Sequence, residues 1–320
     1  MRSSLRIIRI IVVAAALLAP THAILAQAFP SKLIRIVIPF PAGGFVDGTA
    51  RTIGPPLSER WKQQVIVDAR PGAATAIGTD LVAKSRPDGH TLLLTSTQYT
   101  HIAALFAKLP YDPYTDLVPV TVIISSPQAI ISHPSLPAKN IKELIALARV
   151  RPLNLGTTGN ELTARYFNML AKINLVPVPY KGGAPLVIDV IGGHVELGIG
   201  GVITLQGPVR SGRVRLLGIA SLTPSPIFPD APLIPKDVPG FDVLSWWGIF
   251  APAETPREVV TRIRDDVAAV LQIPSVKERL LEMGGEPGGE TPEEFTARVH
   301  NEIARWQEVV RVAGIKLQSS

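Results

Sequence analysis

The chain has 320 residues, no cysteine and a formal net charge of +6. The missing cysteines exclude disulfides, a thiolate nucleophile, a thiolate metal site and a lipoprotein anchor. Lys and Arg are scattered and aromatics make up only 6% of the chain, which argues against a nucleic-acid partner.

Residues 1–28 read as an export leader. Arg2, Arg6 and Arg9 give a positive start, Ile10–Ala19 is a short apolar run, and Ala26-Gln27-Ala28 is a small-residue cleavage site, so the cut is expected between Ala28 and Phe29. The run is short for a membrane span, although an uncleaved anchor is the other reading. The leader carries three Arg and no acid, so its removal from the 320 residues leaves 292 at +3. That length suits one large domain or two ordinary ones. No later stretch is apolar without Pro, Gly or charge, so a soluble periplasmic product is expected.

Ile34–Phe40 reads as a buried strand running into a Pro/Gly turn, which opens a helix from Asp47 to Trp61. Strand, glycine turn and helix together present free backbone N–H groups and a positive helix end to an anion. Pro55-Pro56 predicts a kink or break in that helix. Val65–Val67 and Thr91–Thr95 read as strands flanking a helix at Ala76–Ser85, the alternation of βαβ units and a largely parallel sheet. Strands at Val120–Ile124 and Ala129–Ser132 follow a Pro-rich stretch, then a helix at Ile141–Val150. The alternation restarts with strands near Leu153–Gly156, Val176–Pro179 and Val195–Ile199 and helices near Asn160–Lys172 and Pro185–Ile191. Two βα blocks predict two lobes. The C-terminal part is helical, with capping boxes at Thr255–Glu258, Ser275–Glu278 and Thr291–Glu294 and C-cap glycines at Gly284-Gly285 and Gly314. The stripe Phe295, Val299, Ile303, Trp306 and Val310 reads as core packing.

Catalytic signatures are missing. There is no nucleophile elbow, phosphate loop or H-E-x-x-H, and the histidines are widely spaced. No enzyme activity, cofactor or metal is expected. The candidate ligand residues follow strand ends. Phe40, Pro41, Ala42, Gly43 and Gly44 form the first turn, and a β-carbon at Gly43 or Gly44 is expected to strain it and block an acid. Asp47 reads equally as a first-turn acid favoured by the helix dipole. Ser96, Thr97 and Gln98, and in the second block Thr157, Thr158, Gly159 and Asn160, are turn formers or ligand donors at the carboxyl edge of a parallel sheet. Lys181, beside Gly182, would attract an anion or be a solvated turn residue. Gly200 ends a further strand. Arg51, Arg70 and Arg165 sit in helical or turn contexts, so backbone N–H groups and hydroxyls, not an Arg clamp, are expected to hold a carboxylate.

An ordered set of segments resembles the Bug family of periplasmic solute receptors, the binding components of tripartite tricarboxylate transporters. It runs through Phe29-Pro-Ser-Lys32, Pro39-Phe-Pro-Ala-Gly-Gly44 with Asp47, Arg70-Pro-Gly72, Pro87-Asp-Gly-His-Thr-Leu92, Pro110-Tyr-Asp-Pro113, Pro179-Tyr-Lys-Gly-Gly-Ala-Pro185, Trp247-Gly-Ile-Phe-Ala-Pro252, Thr291-Pro-Glu-Glu-Phe295, Glu302, Trp306 and Ala313-Gly-Ile-Lys316. The resemblance implies an α/β, two-lobed periplasmic binding protein (Venus flytrap) fold, each lobe a βα sheet sandwich, with the ligand between lobes. Lobe 1 would be 29–126 plus 246–320 and lobe 2 127–245. It also implies a monomeric receptor for a small carboxylate (an organic acid, acidic amino acid or aromatic acid), delivering to membrane permease subunits. A sensor feeding a sensor kinase ectodomain is the alternative, and a periplasmic enzyme a further one. Gly156–Leu162 departs from the family pattern: the loop is shortened and Glu161 stands where His is common, a change that could favour a ligand with a cationic group.

Overall fold

The computed structural model describes residues 29–158 and 160–318. The export leader, with Ala28 at its end, and Gly159 lie outside the described residues. The first elements are β1 (Ile34–Ile38), α1 (Phe45–Trp61), β2 (Val65–Ala69), α2 (Ala76–Ala83), β3 (Thr91–Ser96) and α3 (Gln98–Leu105). β1 pairs in parallel with β2 on one side and β3 on the other. Ile34, Ile36 and Ile38 pack with α1 on one face of the sheet, while Val37 and Leu93 pack with Ala76 and Val82 of α2 on the other. Burial on both faces is why these strands read as nearly continuous apolar runs. The order β2-β1-β3 places a switch point at the carboxyl ends of β1 and β3, where open α/β sheets bind ligands.

The lobes are joined by β4 (Leu117–Ser132) and β9 (Leu244–Pro252). β4 pairs antiparallel with β9 from Leu117↔Pro252 to Pro127↔Leu244, then continues into the second sheet opposite β7 (Leu197–Gly201) from Gln128↔Gly201 onward. That sheet also holds β5 (Asn154–Thr158), β6 (Val176–Tyr180) and β8 (Arg215–Ile219). α4 (Ile141–Val150) and α5 (Leu162–Ala171) cover one face, and α6 (Gly183–Ile191) and α7 (Val202–Arg210) the other. α8 (Arg257–Leu271), α9 (Pro274–Glu282) and β10 (Glu286–Pro287), which pairs with β4, return to the first lobe. The final helix, α10 (Pro292–Val312), serves both lobes. Phe295, Val299 and Ile303 pack in lobe 1, whereas Trp306, Val309 and Val310 join a cluster with Leu162, Tyr166 and Phe167 of lobe 2.

Several expectations change. α1 runs unbroken through Pro55 and Pro56. Pro55 is exposed and Pro56 half-buried, and Arg51 and Thr52, one turn earlier, keep access to solvent. The carbonyls that lose an amide partner can therefore meet water. The two strands expected at 120–132 are one strand whose bulges fall between Pro119/Thr121 and Val122/Ile124. Of the three capping boxes only Thr291 forms, its side chain accepting from Glu294 N and Glu294 reaching back. Ser275 falls at the second position of α9, after Pro274, and Thr255 lies one residue outside the Pro256 cap of α8. Gly284 (φ 89) and Gly314 (φ 63) do terminate α9 and α10.

Candidate functional site

Pro41–Gly44, after β1, is exposed and leads directly into α1. Gly43 has φ 81, the left-handed region a side chain resists. Gly44 does not: its φ is −82, and a β-carbon there would come no nearer than 3.5 Å to Pro41 O, so the expected strain is confined to Gly43. Asp47 Oδ2 accepts from Gly43 N at 3.1 Å and from Arg51 Nε at 2.8 Å. The Arg51 hydrogen bond holds this carboxylate below its usual range, against the opposing effect of burial. Asp47 is thus a first-turn acid of its own helix, and it takes the Gly43 N–H. The amides of Gly44, Phe45 and Val46 belong to the turn that no intrahelical carbonyl reaches. Asp47 Oδ1 is buried without a hydrogen-bond partner. Phe40 is half-buried against the α1 core.

At the end of β3, Ser96 Oγ accepts from Gln98 N at 3.3 Å, and Thr97 N donates to Trp246 O at 3.1 Å. Thr97 and Gln98 are half-buried at the start of α3, a helix that sequence reading missed although Tyr99, Ile102 and Leu105 carry its apolar spacing. The rings of Phe45 and Trp247 are 4.4 Å apart, so the start of α1 rests on the crossing strand β9.

In lobe 2, Thr157 is buried with Oγ1 unpartnered, and Thr158 is half-buried. A β-carbon on Gly200 would stand 3.4 Å from Thr158 Cγ2, and one on Gly183 would overlap Thr204 of α7, so these strand ends form one continuous edge. Gly182 has φ 112. Lys181 beside it is exposed and has no ion pair among the described residues. Asn160 is committed at both ends of its amide: Oδ1 accepts from Leu162 N at 3.0 Å, and Nδ2 lies 3.0 Å from His101 Nδ1 in lobe 1. Glu161 pairs with Arg165 one turn on, at 2.8 Å, which answers its charge within α5.

The hinge carries polar residues that sequence reading did not single out. Gln128 Nε2 donates to Ser245 Oγ at 2.6 Å. Ser126 Oγ donates to Gly284 O at 3.2 Å and accepts from Ile203 N at 3.3 Å, joining the start of α7 to the turn after α9. Behind β9, Glu302 accepts from Trp246 Nε1 at 3.0 Å and Thr100 Oγ1 at 3.1 Å. Burial pushes this carboxyl up to about 7, against the pull of Trp246, Arg298, Arg305 and Thr100.

The three arginines near these loops all answer acids close by in the chain: Arg51 with Asp47, Arg70 with Asp68 and Arg165 with Glu161. What remains at the strand ends is chiefly neutral: helix-start amides and hydroxyls. Among the described residues no group of His, Asp and Glu has the arrangement of a metal site. A cavity of about 1060 Å³ lies on the flank of lobe 1, between residues 103–116 and the end of α10, and no candidate ligand residue lines it.

Two α/β lobes joined by a pair of crossing strands, with helix starts gathered at the strand ends, define a two-lobed solute-binding receptor. The sequence profile of the tripartite tricarboxylate transporter family receptor matches residues 49–315, and the chain belongs to that family. The protein BugT of Bordetella pertussis is 34% identical over 325 residues, covering 98% of each chain. A UPF0065 protein of Pseudomonas sp. strain P51 is 36% identical over 292 residues, 89% of this chain and 87% of the relative. Among solved structures, an R. palustris protein with adipate is 34% identical, covers 90% of this chain and 99% of its own, and has a TM-score of 0.75. MatC from Rhodopseudomonas palustris with bound malate is 28% identical, covers 88% and 100%, and has a TM-score of 0.72. The family is one of periplasmic binding proteins, and no helix among the described residues is long and apolar enough to cross a membrane.

Proposed function

We propose that the protein captures a small dicarboxylate between its lobes and delivers it to the membrane permease subunits of a tripartite transporter. The observation that carries this reading is the commitment of Arg51, Arg70 and Arg165 to nearby acids beside an exposed glycine turn at a helix start. A carboxylate then meets amide and hydroxyl donors, which avoid the desolvation cost of burying a second full charge. One carboxylate sits at the Gly44–Val46 amides of α1. Ser96, Thr97, Thr157 and Thr158 supply hydroxyls to the rest of the ligand, and exposed Lys181 contributes attraction at longer range. Malate and adipate on related receptors support a two-acid ligand. The Glu161–Arg165 pair argues against a requirement for a cationic group. The lobes divide near Ser126/Pro127 and Ser245/Trp246, where β4 leaves β9 for β7. The mature chain starts at Phe29, works in the periplasm as a monomer, and catalyses no reaction.

The test is mass spectrometry of small molecules released by denaturing protein purified from the periplasmic fraction. A near-stoichiometric organic diacid is expected. A bound sugar, amine or other non-acid released in that ratio would contradict the proposal.

A further inference from the structure

The hydrogen bond between His101 and Asn160 crosses from one lobe to the other. His101 lies one helical turn after Thr97, and Asn160 lies two residues after Thr158, so the bond links the two segments that carry the candidate donors. Its direction follows from the amide. Asn160 Oδ1 is taken by Leu162 N, so the NH₂ end faces the imidazole, and Nδ1 must offer a lone pair. The ring is then neutral with its proton on Nε2. Burial supports that state by pushing the imidazole down to about 4. Trp306 of α10 braces the ring edge-on at 5.0 Å and meets Tyr166 of α5 at 5.7 Å. The charged groups on the surrounding elements are Arg305, over the Trp306 and Tyr166 rings, Glu302, bonded to Thr100, and the Glu161–Arg165 pair.

We propose that His101 is a positioning residue for ligand capture: as a neutral acceptor it grips Asn160 and fixes the Thr157–Thr158 edge of lobe 2 against the Ser96–Gln98 edge of lobe 1. In the arrangement that makes this bond it sets the spacing between the two donor sets, so it discriminates acids by length. The effect on ligand rests on the dicarboxylate reading above; the contact itself does not.

Hydrogen exchange on the intact, ligand-free protein tests the contact. In His101→Ala the Leu162 amide, capped by Asn160, exchanges about three- to tenfold faster, the range one net hydrogen bond allows. His101→Asn, whose Oδ1 stands near the place of Nδ1, restores the parent rate. Adding His101→Ala to Asn160→Ala produces no further change. Unchanged exchange in His101→Ala, or additive effects in the double variant, would overturn the proposal. Should His101→Ala fail to fold, NMR titration of the His101 ring in Asn160→Asp decides. A carboxylate at that distance raises the imidazole pKa by a unit or more, and an unmoved titration would overturn the contact. Calorimetry with malate and adipate then reads the consequence. His101→Ala binds the preferred acid several-fold more weakly and separates the two acids less, and His101→Asn recovers both. If neither acid binds the parent, the dicarboxylate reading fails, while exchange and titration still decide the positioning role.

Discussion

At the scale of single residues, Gly43 and Gly44 separate folding from binding. Gly43→Ala forces a side chain to φ 81 and should cost about 1–2 kcal/mol of stability. Gly44→Ala adds a β-carbon at φ −82 that meets Pro41 O only at an ordinary contact distance of 3.5 Å, so its urea midpoint should match the parent while its affinity for a carboxylate falls. Equal affinity in Gly44→Ala and parent would remove the turn from the site. His101 and Glu302 make a second residue-scale prediction. His101 sits at about 4 against an ordinary 6.5, so its favourable contribution is complete above 6.5 and is lost as pH falls toward 4. Glu302 sits at about 7 against 4.5, so burying its charge costs stability above 7, and that cost vanishes as pH falls toward 4.5. Between these limits the folded protein holds one extra proton on Glu302 and lacks one on His101, and the two slopes oppose each other. Glu302→Gln removes one of them. From pH 7 to 5 its urea midpoint should fall more steeply than the parent's, and parallel curves would contradict the assignment. Much of this level was legible in the sequence: the glycine turn, Asp47 in its first turn and the polar strand ends. The second role of Asn160 was not, because its partner is 59 residues away in the other lobe. His101 showed only as one of several scattered histidines.

At the scale of elements, α10 is the piece that binds the lobes together. Its apolar stripe was readable from spacing, but one stripe cannot tell which lobe each residue meets. Phe295, Val299 and Ile303 turn out to face lobe 1, and Trp306, Val309 and Val310 the seam with lobe 2. Trp306→Ala should therefore cost about 3–5 kcal/mol in urea unfolding, the usual range for emptying a buried Trp site. A loss below about 1 kcal/mol would mean the seam contributes little to stability, outside that range. Strands β1, β3, β5 and β7 were legible within a few residues because apolar runs bounded by Gly and Pro leave few alternatives. β9 was visible only as a family segment and α7 not at all. Pro208 inside α7 breaks the helical signal, and the pairing of β9 with distant β3 and β4 leaves no local mark. Ser275 misled for the opposite reason: a capping pattern was present, but Pro274 starts the helix one residue earlier.

At the scale of the molecule, lobe 1 presents a glycine turn and two helix starts, lobe 2 presents hydroxyls and a continuous strand-end edge, and β4, β9 and α10 hold the two together. A ligand can favour a closed arrangement only by binding it more tightly than the open one, which requires contacts from both lobes. That requirement suits an acid with a carboxylate at each end. The two-lobed fold was foreseeable from two βα blocks and the family segments, whereas the seam on either side of the hinge depends on contacts among Ser126, Ile203 and Gly284, and between His101 and Asn160, that no local pattern announces. Calorimetric titration of ligand-stripped protein with mono-, di- and tricarboxylates, amino acids and sugars tests the central claim most directly. One dicarboxylate should saturate the receptor at one molecule per chain, and Gly44→Ala should weaken it. Saturation by a sugar or an amine, with every dicarboxylate silent, would contradict the account.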